Sequence, residues 1–248
     1  MRHIGVDLHK TNFVACFLAS DDTRRLETYP RTPDGIARFK RHLRKADELA
    51  VGVTQNVYYF FDQMKSCVSR VVLVDTYRFA VIAQSKKKTD KADAATLARF
   101  LKLGWLPAVP VPDERVRRLR HLLQARETLV GMTTKLKNMA HAALTRNGVA
   151  LSRAAYASDA GRRRVAAREG VADADRAIIE AALRQMAALE AEVARLEAEV
   201  VRLGKGLPGQ KRLLQVHGLN LLSAVALLAE VGDIARFDTS KQLVSYAG

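Results

Sequence analysis

The sequence predicts an α/β domain, a mixed sheet covered by helices, followed by long basic helices, a heptad-patterned helix and a small all-α segment. Three observations carry this prediction. Two short apolar strands stand almost back to back near the N-terminus, and further short apolar runs then alternate with helical patterns. From residue 114 onward the apolar spacing becomes that of helices. The charge is also uneven along a chain of 248 residues with 41 Lys and Arg, 26 Asp and Glu, and a formal net charge of +15.

Residues 3–7 (His-Ile-Gly-Val-Asp) form a short apolar strand that ends in an acid. After Leu8-His9-Lys10-Thr11 a second strand runs through Phe13 to Leu18, and so tight a connection implies a hairpin. The pattern continues with a helix over 33–45, a strand over 48–53, a helix over 57–64, a strand over 71–74 and a helix over 90–103. A hairpin followed by alternating strands and helices gives a sheet with both antiparallel and parallel pairs, and it closes a first domain at 1–110.

Residues 111–170 form a second, basic segment. A long helix over 114–146 places Leu119, Leu122, Leu129, Leu136, Ala140 and Leu144 on one side, and Asn147-Gly148 stops it. Arg115, Arg117, Arg118, Arg120, Lys135 and Lys137 lie elsewhere on it, and Arg162, Arg163 and Arg164 follow as a cluster. Such cations can be a solvated face, but with few acids to offset them they suit phosphate contacts.

Residues 171–204 reverse the sign, with seven acids against four basic residues. Ile179, Ala182, Met186, Leu189, Val193, Leu196, Val200 and Leu203 recur at strict steps of three and four, with Glu190, Glu192, Arg195, Glu197 and Glu199 between them. A helix packed on its own domain shows a similar stripe. The strict alternation favours a coiled coil between protomers, a dimer or a tetramer. Gly204, Gly206, Pro208 and Gly209 then end the helix and open the last segment, 205–248.

Composition removes several classes. With 48% hydrophobic residues the chain is no disordered basic tail. No run reaches the roughly 20 apolar residues of a membrane span, and Met1-Arg2-His3-Ile4 does not open a signal peptide. Cys16 and Cys67 read as separate buried thiols in a reducing compartment. The expectation is a soluble intracellular protein that prefers polyanions.

Candidate chemistry lies in the acids. Asp7 closes an apolar strand, where an ionised carboxylate needs a partner. Asp90 and Asp93, three apart, project from one face of a first helical turn. Carboxylates from a strand and a helix can converge on a hard cation such as Mg2+; helix capping explains Asp90 and Asp93 equally well.

Three stretches in order, Gly5-Val6-Asp7-Leu8-His9-Lys10, Val53-Thr54-Gln55-Asn56-Val57-Tyr58-Tyr59-Phe60 and Lys88-Thr89-Asp90-Lys91-Ala92-Asp93-Ala94-Ala95-Thr96-Leu97-Ala98, resemble the N-terminal domain of the DEDD transposases. These are insertion-sequence recombinases related to the Piv invertases, some of them guided by a bridge RNA. The family continues with a coiled coil and a small transposase domain, whose opening resembles Leu214-Gln215-Val216-His217-Gly218-Leu219 through Glu230-Val231-Gly232-Asp233. The resemblance implies a RuvC-like, RNase H-type fold whose Asp, Glu, Asp and Asp hold two Mg2+ ions, with DNA and a structured guide RNA as partners. Asp7, Asp90 and Asp93 match as metal-binding catalytic residues. The glutamate does not: the register puts Gly52 in its place, and Glu48, four residues earlier, is ~13 Å away along a strand. Asp75, ending the next strand, is a weaker substitute. Lys10, Lys86, Lys87, Lys88 and Lys91, near the acids in sequence, join the helical cations as candidate nucleic-acid contacts. Weakened metal binding and depressed strand chemistry follow from the missing carboxylate, with a non-catalytic RNA- or DNA-binding dimer as the alternative.

At the other end, residues 213–231 set a glycine turn, Gly218, between two apolar helical stretches, a pattern that fits either a phosphate-binding helix-hairpin-helix or a simple helix stop. The family places a serine nucleophile beyond a Tyr-Ala-Gly segment like Tyr246-Ala247-Gly248, so the last domain is expected to be truncated here. Ser240 and Ser245 read as a cap and a surface residue.

Overall fold

The computed structural model describes residues 1–54, 57–83 and 89–247. Clustering of the chain in space divides it at Val111, into Met1–Val111 and Pro112–Gly248.

The first unit is a six-stranded sheet: β1 His3–Leu8, β2 Asn12–Leu18, β3 Arg24–Pro30, β4 Glu48–Gly52, β5 Arg70–Val74 and β6 Ala108–Val109, in the order β3-β2-β1-β4-β5-β6. β1, β2 and β3 form an antiparallel meander, β1–β4 and β4–β5 are parallel, and β6 returns antiparallel to β5. This is the mixed α/β sheet of an RNase H or RuvC-like domain. β3 escapes a pattern search because it is an edge strand of sequence Arg-Arg-Leu-Glu-Thr-Tyr-Pro in which only Tyr29 is fully buried. The other elements are α1 Pro33–Arg41, α2 Val57–Met64, α3 Thr76–Ala83 and α4 Asp90–Leu103. α1 stops at His42, short of the expected 45, after starting on a Thr32 cap with Pro33 in its first turn.

The period-2 alternation of the interior strands sorts side chains between two helical layers. Ile4, Val6, Leu8, Phe13, Ala15, Phe17, Leu49, Val51 and Leu73 face α1 and α2, meeting Ile36, Phe39, Val57, Phe60 and Met64. Most of the aromatic run 58–61 therefore belongs to this core, with Phe60 edge-on to Phe13, while Tyr59 stays 53% exposed. The opposite face carries Val14, Cys16 and Leu18 against Ala94 and Ala98, and Ala50, Val72 and Val74 against Leu97 and Leu101 of α4. Both cysteines are free thiols, and burial pushes that of Cys16 up in pKa.

The second unit is helical: α5 Glu114–Arg146, a 3-10 turn Arg153–Ala157, α6 Asp159–Ala166, α7 Asp173–Gly204, α8 Gln210–Leu213, α9 Leu221–Val231 and α10 Ser240–Ala247. α5 and α7 run antiparallel as a long hairpin. At its base Arg115 donates to the carbonyls of Leu203 (2.6 Å) and Lys205, midway Arg126 pairs with Glu197 at 2.7 Å, and near the tip Arg146 and Asn147 hold Asp175.

The stripe on α7 thus has a partner in its own chain. Ile179, Ala182 and Met186 pack with Ala140, Ala143 and Leu144 of α5, and Val200 packs with Leu119. Where the spacing favours pairing between protomers, the structure uses both ends of the seam within one protomer. A chain that folds back supplies the second helix at high local concentration, so an intramolecular pair forms first. Leu189, Val193 and Leu196, in the middle, stay only half-buried. Among the described residues no helix is long and apolar enough to cross a membrane.

Candidate functional site

Two backbone features bring the acids together. The first is Gly5, two residues before Asp7 on the same face of β1: a Cβ there would lie 2.1 Å from the Ala94 carbonyl oxygen and 2.4 Å from the Ala98 nitrogen. Only glycine lets α4 rest directly on the strand. The second is Thr89, whose hydroxyl oxygen accepts from the Ala92 N–H at 3.2 Å and starts α4. With Thr89 as N-cap, neither Asp90 nor Asp93 is needed for capping; both occupy the first turn, where the helix dipole favours negative charge.

Asp7, Asp90 and His9 form a cluster whose ligand atoms all lie within 4.8 Å of one another. His9 Nε2 is 3.0 Å from Asp7 Oδ2 and 3.2 Å from Asp90 Oδ2. Its backbone is fixed at the β1–β2 turn, where its N–H donates to the Asn12 carbonyl and its carbonyl accepts from Arg31. Asp93 lies outside this tight group, yet its charge is felt at Asp7. Burial is the main reason the Asp7 carboxyl sits above its ordinary pKa; Asp93 and Asp90 add to the rise, and His9 opposes it. A cation would complement such a site.

The donors fit one. His9 Nε2 is buried and lies within reach of one oxygen of each carboxylate, an arrangement suited to three ligands around a common ion. Sequence reasoning missed His9. Its one sequence signal is its place two residues after Asp7, just past the end of β1, where strand alternation no longer sets the face.

The fourth acid is absent from the position the register defines. β1 and β4 pair from His3 with Glu48 through Val6 with Val51, and one more step sets Gly52 beside Asp7, on the α4 side of the sheet. Glu48 is at the far end of β4 and pairs with Arg70 at 3.1 Å. Asp75 accepts from the Tyr77 and Arg78 N–H groups and starts α3. Neither carboxylate replaces a glutamate at 52. Gln55, Asn56, Lys86, Lys87 and Lys88 lie outside the described residues.

The other cations divide in two. Arg115 and Arg120 donate to the carbonyls of Leu203, Lys205, Ala229 and Glu230, and Arg117 is buried. Arg162 holds Glu190 with two bonds of 2.6 Å and also donates to the Tyr156 carbonyl. Arg115, Arg120 and Arg162, expected on phosphates, are engaged as struts within the helical unit. The sequence pattern shows how many cations a helix has, but not which ones meet carbonyl groups at the ends of neighbouring helices. Lys137 leans over the Tyr156 ring and Arg118 pairs with Glu114, while Lys10, Lys91, Lys135, Arg163 and Arg164 are exposed. In the last segment Gly218 has a left-handed φ of 87°, and Asn220 caps α9 with its own side chain. Ser240 opens α10 with Thr239 as its cap, and Ser245 is exposed.

Comparison with known proteins agrees with this geometry. A transposase family model of the DEDD, IS110 type matches residues 4–147, and one described as the transposase IS116/IS110/IS902 family matches residues 210–248. A putative transposase, y4qE of Sinorhizobium fredii (strain NBRC 101917 / NGR234), is 30% identical over 161 residues, 65% of this chain and 39% of the relative. The chain thus covers well under two thirds of that relative's length. The acids that Gly5 lets meet lie inside the longer match, and the chain belongs to the IS110 family of DEDD transposases.

Proposed function

We propose that this chain serves DNA transposition as a site-specific recombinase of the DEDD type. Asp7, Asp90 and Asp93 hold divalent metal against a scissile phosphodiester, and a structured guide RNA directs the target. The observation that carries this reading is the meeting of Asp7, at the end of β1, with Asp90 in the first turn of α4, inside a sheet of RNase H order. A bound dication supplies Lewis-acid polarisation of a phosphate oxygen. The residues themselves orient the phosphate: Asp7 is fixed by β1, the first turn of α4 is fixed by its close approach at Gly5, and exposed Lys10 and Lys91 stand next in sequence to His9 and Asp90 to meet the flanking backbone. The half-buried middle of the α7 seam supports pairing of two such hairpins into a dimer.

Gly52 favours a second reading, a non-catalytic nucleic-acid-binding dimer or regulator on the same fold. Three carboxylates in place of four leave a site meant for two dications short by one negative charge. Incubating the protein with guide RNA, donor and target DNA in Mg2+ or Mn2+ separates the readings. Nicked or covalently joined DNA that disappears in Asp7→Asn supports the recombinase. Tight, salt-dependent binding without any strand change supports the regulator, and free cleavage products without adducts indicate a plain nuclease.

A further inference from the structure

We infer that His9 is itself a metal ligand, and that with Asp7 and Asp90 it builds a site for a single borderline dication, of the Mn2+ or Zn2+ type, in preference to Mg2+. The inference rests on the reading that this acid cluster holds divalent metal, and concerns which ion and through which atoms. His9 projects from the hairpin turn, its backbone held at both the N–H and the carbonyl, so the imidazole reaches the acids from a fixed base. Nε2 is buried and lies 3.0 and 3.2 Å from one oxygen of each carboxylate, and the ligand atoms of all three residues fall within 4.8 Å of one another. Three donors converging on a common point leave the remaining coordination positions to solvent and substrate, and the Asp90 side chain is 59% exposed.

The identity of the ion follows from the donors. Mg2+ demands six hard oxygen ligands and sheds water reluctantly, whereas imidazole suits the transition ions and zinc. Charge points the same way. Asp7, Asp90 and Asp93 supply three negative charges and a ligating imidazole supplies none, one fewer than the four positive charges of two dications and enough to neutralise a single one. The missing glutamate at Gly52 and the nitrogen at His9 therefore describe one change in coordination chemistry: an oxygen set for two hard ions becomes a mixed set for one.

The test uses the full chain with Mn2+ as probe. Pulsed electron paramagnetic resonance of the Mn2+ complex is expected to show hyperfine coupling to a directly bound 14N, lost in His9→Ala. Calorimetry is expected to show Mn2+ binding more tightly than Mg2+, and His9→Ala is expected to weaken Mn2+ by at least about tenfold, the smaller end of what altering a metal site's surroundings costs. His9→Asp, which returns an oxygen donor, should narrow the gap between Mn2+ and Mg2+. Mn2+ binding that requires Asp7 but shows no 14N coupling, and is unchanged in His9→Ala, would overturn the inference and leave the acid site standing. Binding of neither ion, or binding indifferent to Asp7→Asn, would overturn the acid site as well. Equal affinity for Mg2+ and Mn2+ in the unaltered chain would overturn the stated preference.

Discussion

Gly5 and Ala94 stand so close that a Cβ on the glycine would lie 2.1 Å from the Ala94 carbonyl oxygen. That obstacle is helix backbone, which a rotamer change cannot relieve. Gly5→Ala should lift α4 off the sheet, cost on the order of 2 kcal/mol as an overpacked core does, and separate Asp7 from Asp90. Denaturant unfolding measures the first effect and Mn2+ calorimetry the second. An alanine variant of normal stability and metal affinity would show that α4 is not held by this contact.

Gly52→Glu is expected to raise Mg2+ affinity, because the new carboxylate would stand beside Asp7 in the register of β1 and β4. Among the described residues the one obstacle is Thr76 Cγ2, 2.7 Å from a Cβ at position 52. Thr76 is exposed and can turn aside. Gly52→Glu with Thr76→Ser, which removes that methyl, should bind Mg2+ more tightly than Gly52→Glu alone. Calorimetric titration of the two variants against the unaltered chain tests both steps.

Asp175 closes the tip of the α5–α7 hairpin. Side-chain hydrogen bonds from Arg146 and Asn147 hold its carboxyl below the usual range. A carboxylate with a depressed folded value contributes stability that is complete above its unfolded value near 4 and fades as the pH falls through the lower folded one. Thermal melts from pH 7 down to pH 2.5 should show the helical unit weakening below about pH 4, and Asp175→Asn should flatten that acid limb.

Neighbouring arginines are expected to fail in different ways. Arg162→Ala removes a two-bond clamp on Glu190 and should cost about 1 kcal/mol of stability, the modest value of a partly exposed pair. Arg163→Ala with Arg164→Ala touches exposed side chains, so stability should stay within about 0.5 kcal/mol. If the pair meets phosphates, the slope of log affinity for nucleic acid against log salt should fall by about 2. Melting curves and binding at several salt concentrations separate the two outcomes.

The parts of the fold that were legible in the sequence are those in which one local rule acts alone. Short apolar runs mark β1, β2, β4 and β5, and the paired acids Asp90 and Asp93 mark the start of α4. β3 was hidden because an edge strand buries little, and α3 because an apolar run directly after a strand does not declare its own period. In the site, Asp7, Asp90 and Gly52 could be found by spacing and family pattern. His9 could not, because its meaning depends on where a two-residue turn aims an imidazole. The arginines are a related case: whether Arg115 or Arg162 engages an oxygen of its own chain is decided by helices roughly 30 to 90 residues away in the chain.

The clasp of Arg115 on the carbonyls of Leu203 and Lys205 makes the α5–α7 hairpin a detour: the chain departs and returns at one place. Where the last segment begins is set by that clasp, independently of how far the two arms extend. Removing one heptad from each arm would draw the tip in by about 10 Å while leaving residues 205 onward anchored at the same point. Residues 148–209, which hold the whole returning arm α7 and nearly all of the tip, fall outside both family matches. Reach is thus a property this architecture can change by paired insertions or deletions, without disturbing either the acid cluster or the segment after the hairpin.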